Sequence, residues 1–327
     1  MMQGVNTRAR VSRNKMNRTH LSLGLWLSSA AVTAALLGAY GAQVNRLAPV
    51  VQARQTPARQ RAALPLAERH AEIPGARISY IDSGGTGTPV VFMHAGTGSL
   101  RVWEYQIPVF SGAGYRFIAY DRRGHGRTVV DPTVAPGSAA DDLKGLLDHL
   151  GVERIHLVGT AAGAITSLDF ALSYPQRLRS LVIANSIGGV QDQDYQELGR
   201  RLRPPQFNEM PPEFRELSPS YRAANPAGTQ RWMDLEKVSR SEGPRPAAQT
   251  MRNRITFAAL ETLKVPTLLL TGDADLYTPP AVLRLFGARI KHAKSVIVPE
   301  AGHSAYWEQP EIFNRSVLRF IRRHSKK

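Results

Sequence analysis

The sequence predicts an α/β protein, a mostly parallel sheet covered by helices on both faces, and three observations carry that expectation. Short apolar runs of strand length recur along the chain between Gly, Pro and polar residues. Stretches with helical spacing alternate with them, which is the pattern of a parallel sheet joined by crossover helices. The chain has 327 residues with 43% apolar and 21% charged content, enough for one large core.

The strands are expected in order. Ala76 to Ile81 alternates, Gly84 to Gly87 is a turn, and Pro89 to Met93 is a short run of the kind found in a buried strand. Tyr115 to Tyr120 follows. Ala139 to Leu150 has helical spacing through Leu143, Leu146, Leu147 and Leu150. Ile155 to Val158 is a strand leading into an alanine-rich helix that ends near Tyr174, and Leu178 to Ala184, Thr267 to Thr271 and Lys294 to Val298 continue the series. In such a sheet, ligands are met at the carboxyl ends of the strands.

The alternation stops between residues 187 and 263. Pro204, Pro205, Pro211, Pro212, Pro219, Pro226, Pro244 and Pro246 punctuate short helical patches there, so the segment is expected to be a helical cap inserted over the strand ends. Phe207, Met210, Phe214, Tyr221, Trp232, Met233 and Met251 are its candidates to face a pocket, against the alternative of packing within the cap.

Residues 1–42 are expected to be a targeting segment. No residue from Leu21 to Ala42 is charged, and Arg8, Arg10, Arg13, Lys15 and Arg18 precede that stretch without an acid. An export signal, giving a periplasmic or secreted protein, is one reading. Anchoring by residues 21–42, and so membrane association through the N-terminal segment, is the other. Residues 43–70, rich in Ala, Arg, Gln and Pro, are expected to be a linker, leaving 71–327 as the folded domain. The formal charge of +16 is drawn in good part from the termini and comes with no nucleic-acid module, so a nucleic-acid partner is not expected. The absence of cysteine excludes disulfides and thiolate metal ligands. The nine histidines are scattered, with no His-x-x-x-His pair, and no phosphate loop opens a helix, so neither a metal nor a cofactor is expected.

The strand Ile155–Val158 runs straight into Gly159-Thr160-Ala161-Ala162-Gly163 and a helix. This is the strand-turn-helix setting of a nucleophile elbow, G-x-S-x-G, with both glycines present and alanine at the apex. Phe92-Met93-His94-Ala95-Gly96 follows a buried strand as a His-Gly oxyanion loop does, with Ala95 where glycine is usual. Asp121-Arg122-Arg123-Gly124-His125-Gly126 matches D-x-R-G-x-G, and Gly272-Asp273-Ala274-Asp275 with Pro279 matches G-x-x-D-x-x-x-P. Val298-Pro299-Glu300-Ala301-Gly302-His303 places a histidine after the last strand.

In this order the motifs resemble the α/β-hydrolase superfamily from about Ile73 to Arg323, most of all its aminoacrylate-hydrolase and enol-lactonase types. The resemblance implies an eight-stranded, mostly parallel sheet with helices on both faces and a helical cap. It also implies roles: His303 as base, Asp275 as the acid orienting it with Asp273 as fallback, and Ala161 at the position of the nucleophile. Gly96 and Ala162 would supply the oxyanion-hole N–H groups, and the D-x-R-G-x-G turn would be structural, leaving His125 and the strand residue His156 outside the chemistry.

A methyl group cannot attack a carbonyl, and Thr160, one step off the apex, points elsewhere. Four readings stay open at this level. The first is a hydrolase of an ester, lactone, amide or carbamate in which His303 and Asp275 activate water. The second uses the same dyad for cofactor-free base chemistry of a dioxygenase or lyase type. The third is a non-catalytic protein that binds a small-molecule ligand, and the fourth is a serine esterase whose serine was exchanged by engineering.

Overall fold

The computed structural model describes residues 66–186 and 188–325. The expectations for 1–42 and for nearly all of 43–70 lie outside them. Strands β1 (Arg69–Ile73), β2 (Ala76–Asp82), β3 (Pro89–Met93), β4 (Arg116–Tyr120), β5 (Val129–Val130), β6 (Ile155–Thr160), β7 (Leu178–Ala184), β8 (Thr267–Gly272) and β9 (Lys294–Val298) form one sheet. Its order is β1-β2-β4-β3-β6-β7-β8-β9, with β5 paired to β2. From β4 to β9 every pairing is parallel, while β1, β2 and β5 add antiparallel pairs at one edge.

The sheet therefore has nine strands rather than eight. The extra one, β5, is two residues long, too short to show any alternation in a sequence. Strand β1 also begins at Arg69, inside the stretch expected to be linker. Only Ala71 of β1 is fully buried, so it lacks an apolar signature and is held by its hairpin with β2 across Pro74 and Gly75.

Two apolar layers coat the sheet, and the two-residue period of a strand assigns residues to them. Val91, Leu157, Leu181 and Ile183 enter one layer with Leu143, Leu146 and Leu147 of the helix Ala139–His149, Leu168 of the helix Ala162–Ser173 and Phe286 of the helix Pro280–Gly287. Phe92, Val158, Val182 and Ala184 enter the other with Phe110, Phe313, Val317 and Ile321. Ser138 caps the helix Ala139–His149 by accepting from the Asp141 N–H at 3.1 Å.

Residues between β7 and β8 form short helices, including Gln193–Arg201, Pro212–Glu216, Pro219–Ala224 and Pro226–Lys237. Tyr221 and Trp232 are buried in the second apolar layer, and Phe207 is buried against Tyr277 with ring centroids 4.7 Å apart. Phe214 at 43% and Met251 at 38% exposure lie at the surface, where Arg222 covers the Phe214 ring. The insertion is docked by hydrogen bonds from the Trp307 Nε1 to the Gly228 carbonyl at 3.2 Å and from the Gly126 N–H to the Ser239 carbonyl at 2.9 Å.

The D-x-R-G-x-G turn is a packing device. Arg123 grips Asp142 with two bonds of 2.9 and 2.8 Å and donates to the carbonyls of Pro74 and Gly75. The Asp121 carboxylate accepts from the N–H groups of Leu100 and Arg127. A Cβ at Gly126 would lie 1.9 Å from that carboxylate, which explains the glycine. His156 is fully buried and bonded to the Ser180 hydroxyl at 2.7 Å.

Candidate active site

Strand β6 is buried throughout and ends in a turn whose apex, Ala161, has φ 49° and ψ −118°. A non-glycine residue held there stores strain of about 1–3 kcal/mol. The flanking glycines are sterically required. A Cβ on Gly159 would stand 2.4 Å from the Ser167 hydroxyl, and one on Gly163 would stand 2.3 Å from the Met93 carbonyl. Thr160 is fully buried and its hydroxyl has no hydrogen-bond partner among the described residues.

Ala162 opens the helix after the turn, where N–H groups have no intrahelical partner. Gly96 sits opposite: a Cβ there would touch the Ala162 methyl at 3.7 Å. Among the described residues no backbone carbonyl accepts from the Gly96 N–H.

The loops after β8 and β9 bring Asp275 and His303 together. His303 Nδ1 lies 2.9 and 3.0 Å from the two carboxylate oxygens of Asp275. That contact assigns the Nδ1 proton toward the acid and leaves Nε2 as the free nitrogen. Burial pushes the Asp275 carboxyl up, but His303, the Thr278 N–H and Asn185 outweigh it and hold the acid below its ordinary value. Burial pulls the His303 imidazole down, yet Asp275 and Glu216 outweigh it and leave the ring more basic than usual. The fallback acid, Asp273, is exposed.

Asn185 joins these loops to the elbow. Its Nδ2 donates to Asp275 Oδ2 at 3.1 Å and to the Gly302 carbonyl at 3.0 Å, while the preceding residue, Ala184, accepts from the Ala161 N–H at 2.9 Å. Glu308 secures the histidine loop from the other side, accepting from the N–H groups of Ser218 and Gly302 at 2.7 and 2.9 Å. Burial pushes its carboxyl up to about 7 against those bonds.

Three participants had not been identified from the sequence. Asn185 carries a positive φ of 48°, which leaves no mark in a residue pattern. The Tyr277 ring lies over His303 with centroids 4.1 Å apart, and its place two residues after Asp275 is a signal that was available. Glu216, from the insertion, is buried, one of its carboxylate oxygens has no hydrogen-bond partner, and its charge acts on His303. Since the negative charge of Glu216 raises the His303 pKa, Glu216→Gln is expected to move the acidic limb of a pH–rate profile to lower pH. A profile with an unmoved limb would show that Glu216 is not ionised beside His303.

A cavity of about 820 Å³ lies elsewhere, walled by Arg101, Arg127, Arg240 and Arg245, and neither Gly96, Ala161, Ala162, Asp275 nor His303 lines it. No group of three or more His, Asp or Glu among the described residues is placed to hold a metal.

The chain matches the alpha/beta hydrolase family over residues 90–316. It belongs to that family. Among curated relatives, a 2-hydroxy-6-oxononadienedioate/2-hydroxy-6-oxononatrienedioate hydrolase of Burkholderia vietnamiensis is 29% identical over 266 residues, covering 76% of this chain and 91% of the relative. A putative carbamate hydrolase of a Caulobacter species is 32% identical over 245 residues, covering 71% of this chain and 90% of the relative. Among solved structures, a thermophilic esterase from Thermogutta terrifontis superposes with a TM-score of 0.64 at 26% identity, covering 79% of this chain and 99% of the esterase. An enol-lactonase from Burkholderia xenovorans, at TM-score 0.61 and 22% identity, covering 77% of this chain and 99% of the enol-lactonase, shares the fold. These relatives are hydrolases, and this alpha/beta hydrolase stands with them as an enzyme of the hydrolase class.

Proposed function

We propose that this alpha/beta hydrolase cleaves an ester, lactone, amide or carbamate by having His303 activate water directly. The observation that carries the reading is the His303–Asp275 pair, with a basic imidazole whose Nε2 is free, beside an elbow that keeps its strained geometry under alanine. Nε2 takes a proton from water as the water oxygen bonds to the carbonyl carbon. The N–H groups of Gly96 and Ala162 hold the resulting oxyanion, and Asp275 stabilises the imidazolium. When the tetrahedral species collapses, His303 returns the proton to the departing alcohol or amine. No covalent acyl-enzyme forms, because Ala161 has no nucleophilic atom.

The relatives named as carbamate hydrolase and esterase support attack on a carbonyl as the shared step. The test is turnover of a panel of short esters, lactones and amides by the full chain and by Ala161→Ser. The chain with Ala161 is expected to turn over at least one panel member without a burst, and the serine variant to show a burst of acyl-enzyme formation. A chain that is silent with Ala161 and strongly active only with serine would overturn water activation.

A further inference from the structure

The carbonyl of Ala95 and the N–H of Gly96 belong to one peptide unit, so whatever polarises the carbonyl strengthens the N–H as a donor. Three donors converge on that carbonyl. His94 Nδ1 lies at 2.7 Å, Arg122 Nη2 at 3.2 Å and the Gly98 N–H at 3.2 Å. His94 Nε2 accepts from the Arg122 N–H at 3.1 Å, which places the imidazole proton on Nδ1. Burial, with Arg122 close by, holds His94 far below its ordinary pKa, so it donates as a neutral ring.

Arg122 is therefore the one cation on the Ala95 carbonyl, and it is an unusual cation. No carboxylate among the described residues pairs with it, and its Nε is buried without a partner. Burial pulls the guanidinium down to about 10. A partly desolvated cation without a counter-charge is unfavourable, unless negative charge arrives. The next carbonyl is treated differently. His125 Nε2 lies 3.2 Å from the Gly96 carbonyl but itself receives Arg240 Nη1 at 2.7 Å, so it has no proton to offer there. Polarisation is concentrated on the one peptide that carries the Gly96 N–H, at the residue that packs beside Ala162.

We propose that Arg122 is a positioning residue of the oxyanion hole, whose cation acts through the Ala95–Gly96 peptide to strengthen the Gly96 N–H toward developing negative charge. The inference rests on Gly96 as an oxyanion donor and not on how water is activated. Removing an oxyanion donor outright lowers turnover about a hundred- to a thousand-fold, so weakening one through its peptide is expected to have an effect of about ten-fold.

The experiment separates the two readings by using full-length Ala161→Ser protein and phenylboronic acid. The serine oxygen adds to boron, its proton passes to His303, and boron becomes a tetrahedral anion with a hydroxyl at the oxyanion position. Adding Arg122→Met is expected to weaken phenylboronic acid about ten-fold while leaving KM for a neutral ester unchanged, and Arg122→Lys to restore most of the affinity. Equal affinity in the Met variant, or a Lys variant as weak as the Met variant, would overturn the proposal, since only charge distinguishes them in this role. Serine protein that takes up no boronate overturns Gly96 as donor and this inference with it. Failure of water activation shows instead as a silent Ala161 chain and leaves the boronate comparison intact.

Discussion

His303→Ala is expected to lower turnover of the preferred carbonyl substrate by about a thousand-fold, since general-base catalysis by a positioned side chain contributes about 10²–10⁴. The loss should be this large because the proposed mechanism takes the proton from water through the His303 imidazole. Its orientation depends on Asp275, which is itself over-determined: the N–H groups of Tyr277 and Thr278 donate at 2.8 and 2.9 Å, and Asn185 at 3.1 Å. The effect should fall on kcat more than on KM, because the base acts in the transition state. Steady-state rates from about pH 5 to about pH 9, spanning the ordinary histidine value of about 6.5, provide the measurement. A His303→Ala protein that keeps its rate would place the chemistry elsewhere.

Gly163→Ala is expected to destabilise the fold by about 3 kcal/mol, the upper part of the usual range for overpacking. Helix propensity alone predicts the opposite sign, since alanine inside a helix is favoured over glycine by about 1 kcal/mol. The tertiary contact decides. A Cβ at this position would lie 2.3 Å from the Met93 carbonyl and 2.6 Å from that of His94, backbone atoms that cannot rotate aside. Moving them displaces the loop that carries Gly96. Urea unfolding of the two proteins gives the difference directly, and a more stable Gly163→Ala protein would show that strand β3 and the helix Ala162–Ser173 have room to separate.

Much of the architecture was legible because its causes are local. Pro89–Met93 reads as a central strand since residues buried on both faces of a sheet are apolar without interruption, and Ile155–Val158 does so with His156 as its one polar residue. Arg69–Ile73 and Val129–Val130 did not, being an edge strand with polar neighbours and a fragment of two residues. Which apolar residues of the insertion are buried was separable only with the structure: Phe207 packs on Tyr277, whereas Phe214, equally apolar, is exposed. Periodicity cannot distinguish them in helices of five residues or fewer.

By itself the sequence determined the α/β alternation, the glycines flanking Ala161, alanine at the apex of that turn and the chain order Ala161, Asp275, His303, because each is read from the order of residues along the chain. The sequence resemblance favoured Asp275 over Asp273 and the structure places Asp275 on His303; the tertiary structure alone decided that Asn185 ties both loops to the elbow, that the Glu216 carboxyl comes near His303, and that Arg122 reaches the Ala95 carbonyl. The hydrogen bonds among these contacts join residues 27 to 117 positions apart, at the ends of neighbouring strands whose register is a property of the folded sheet, while Glu216 arrives from the insertion.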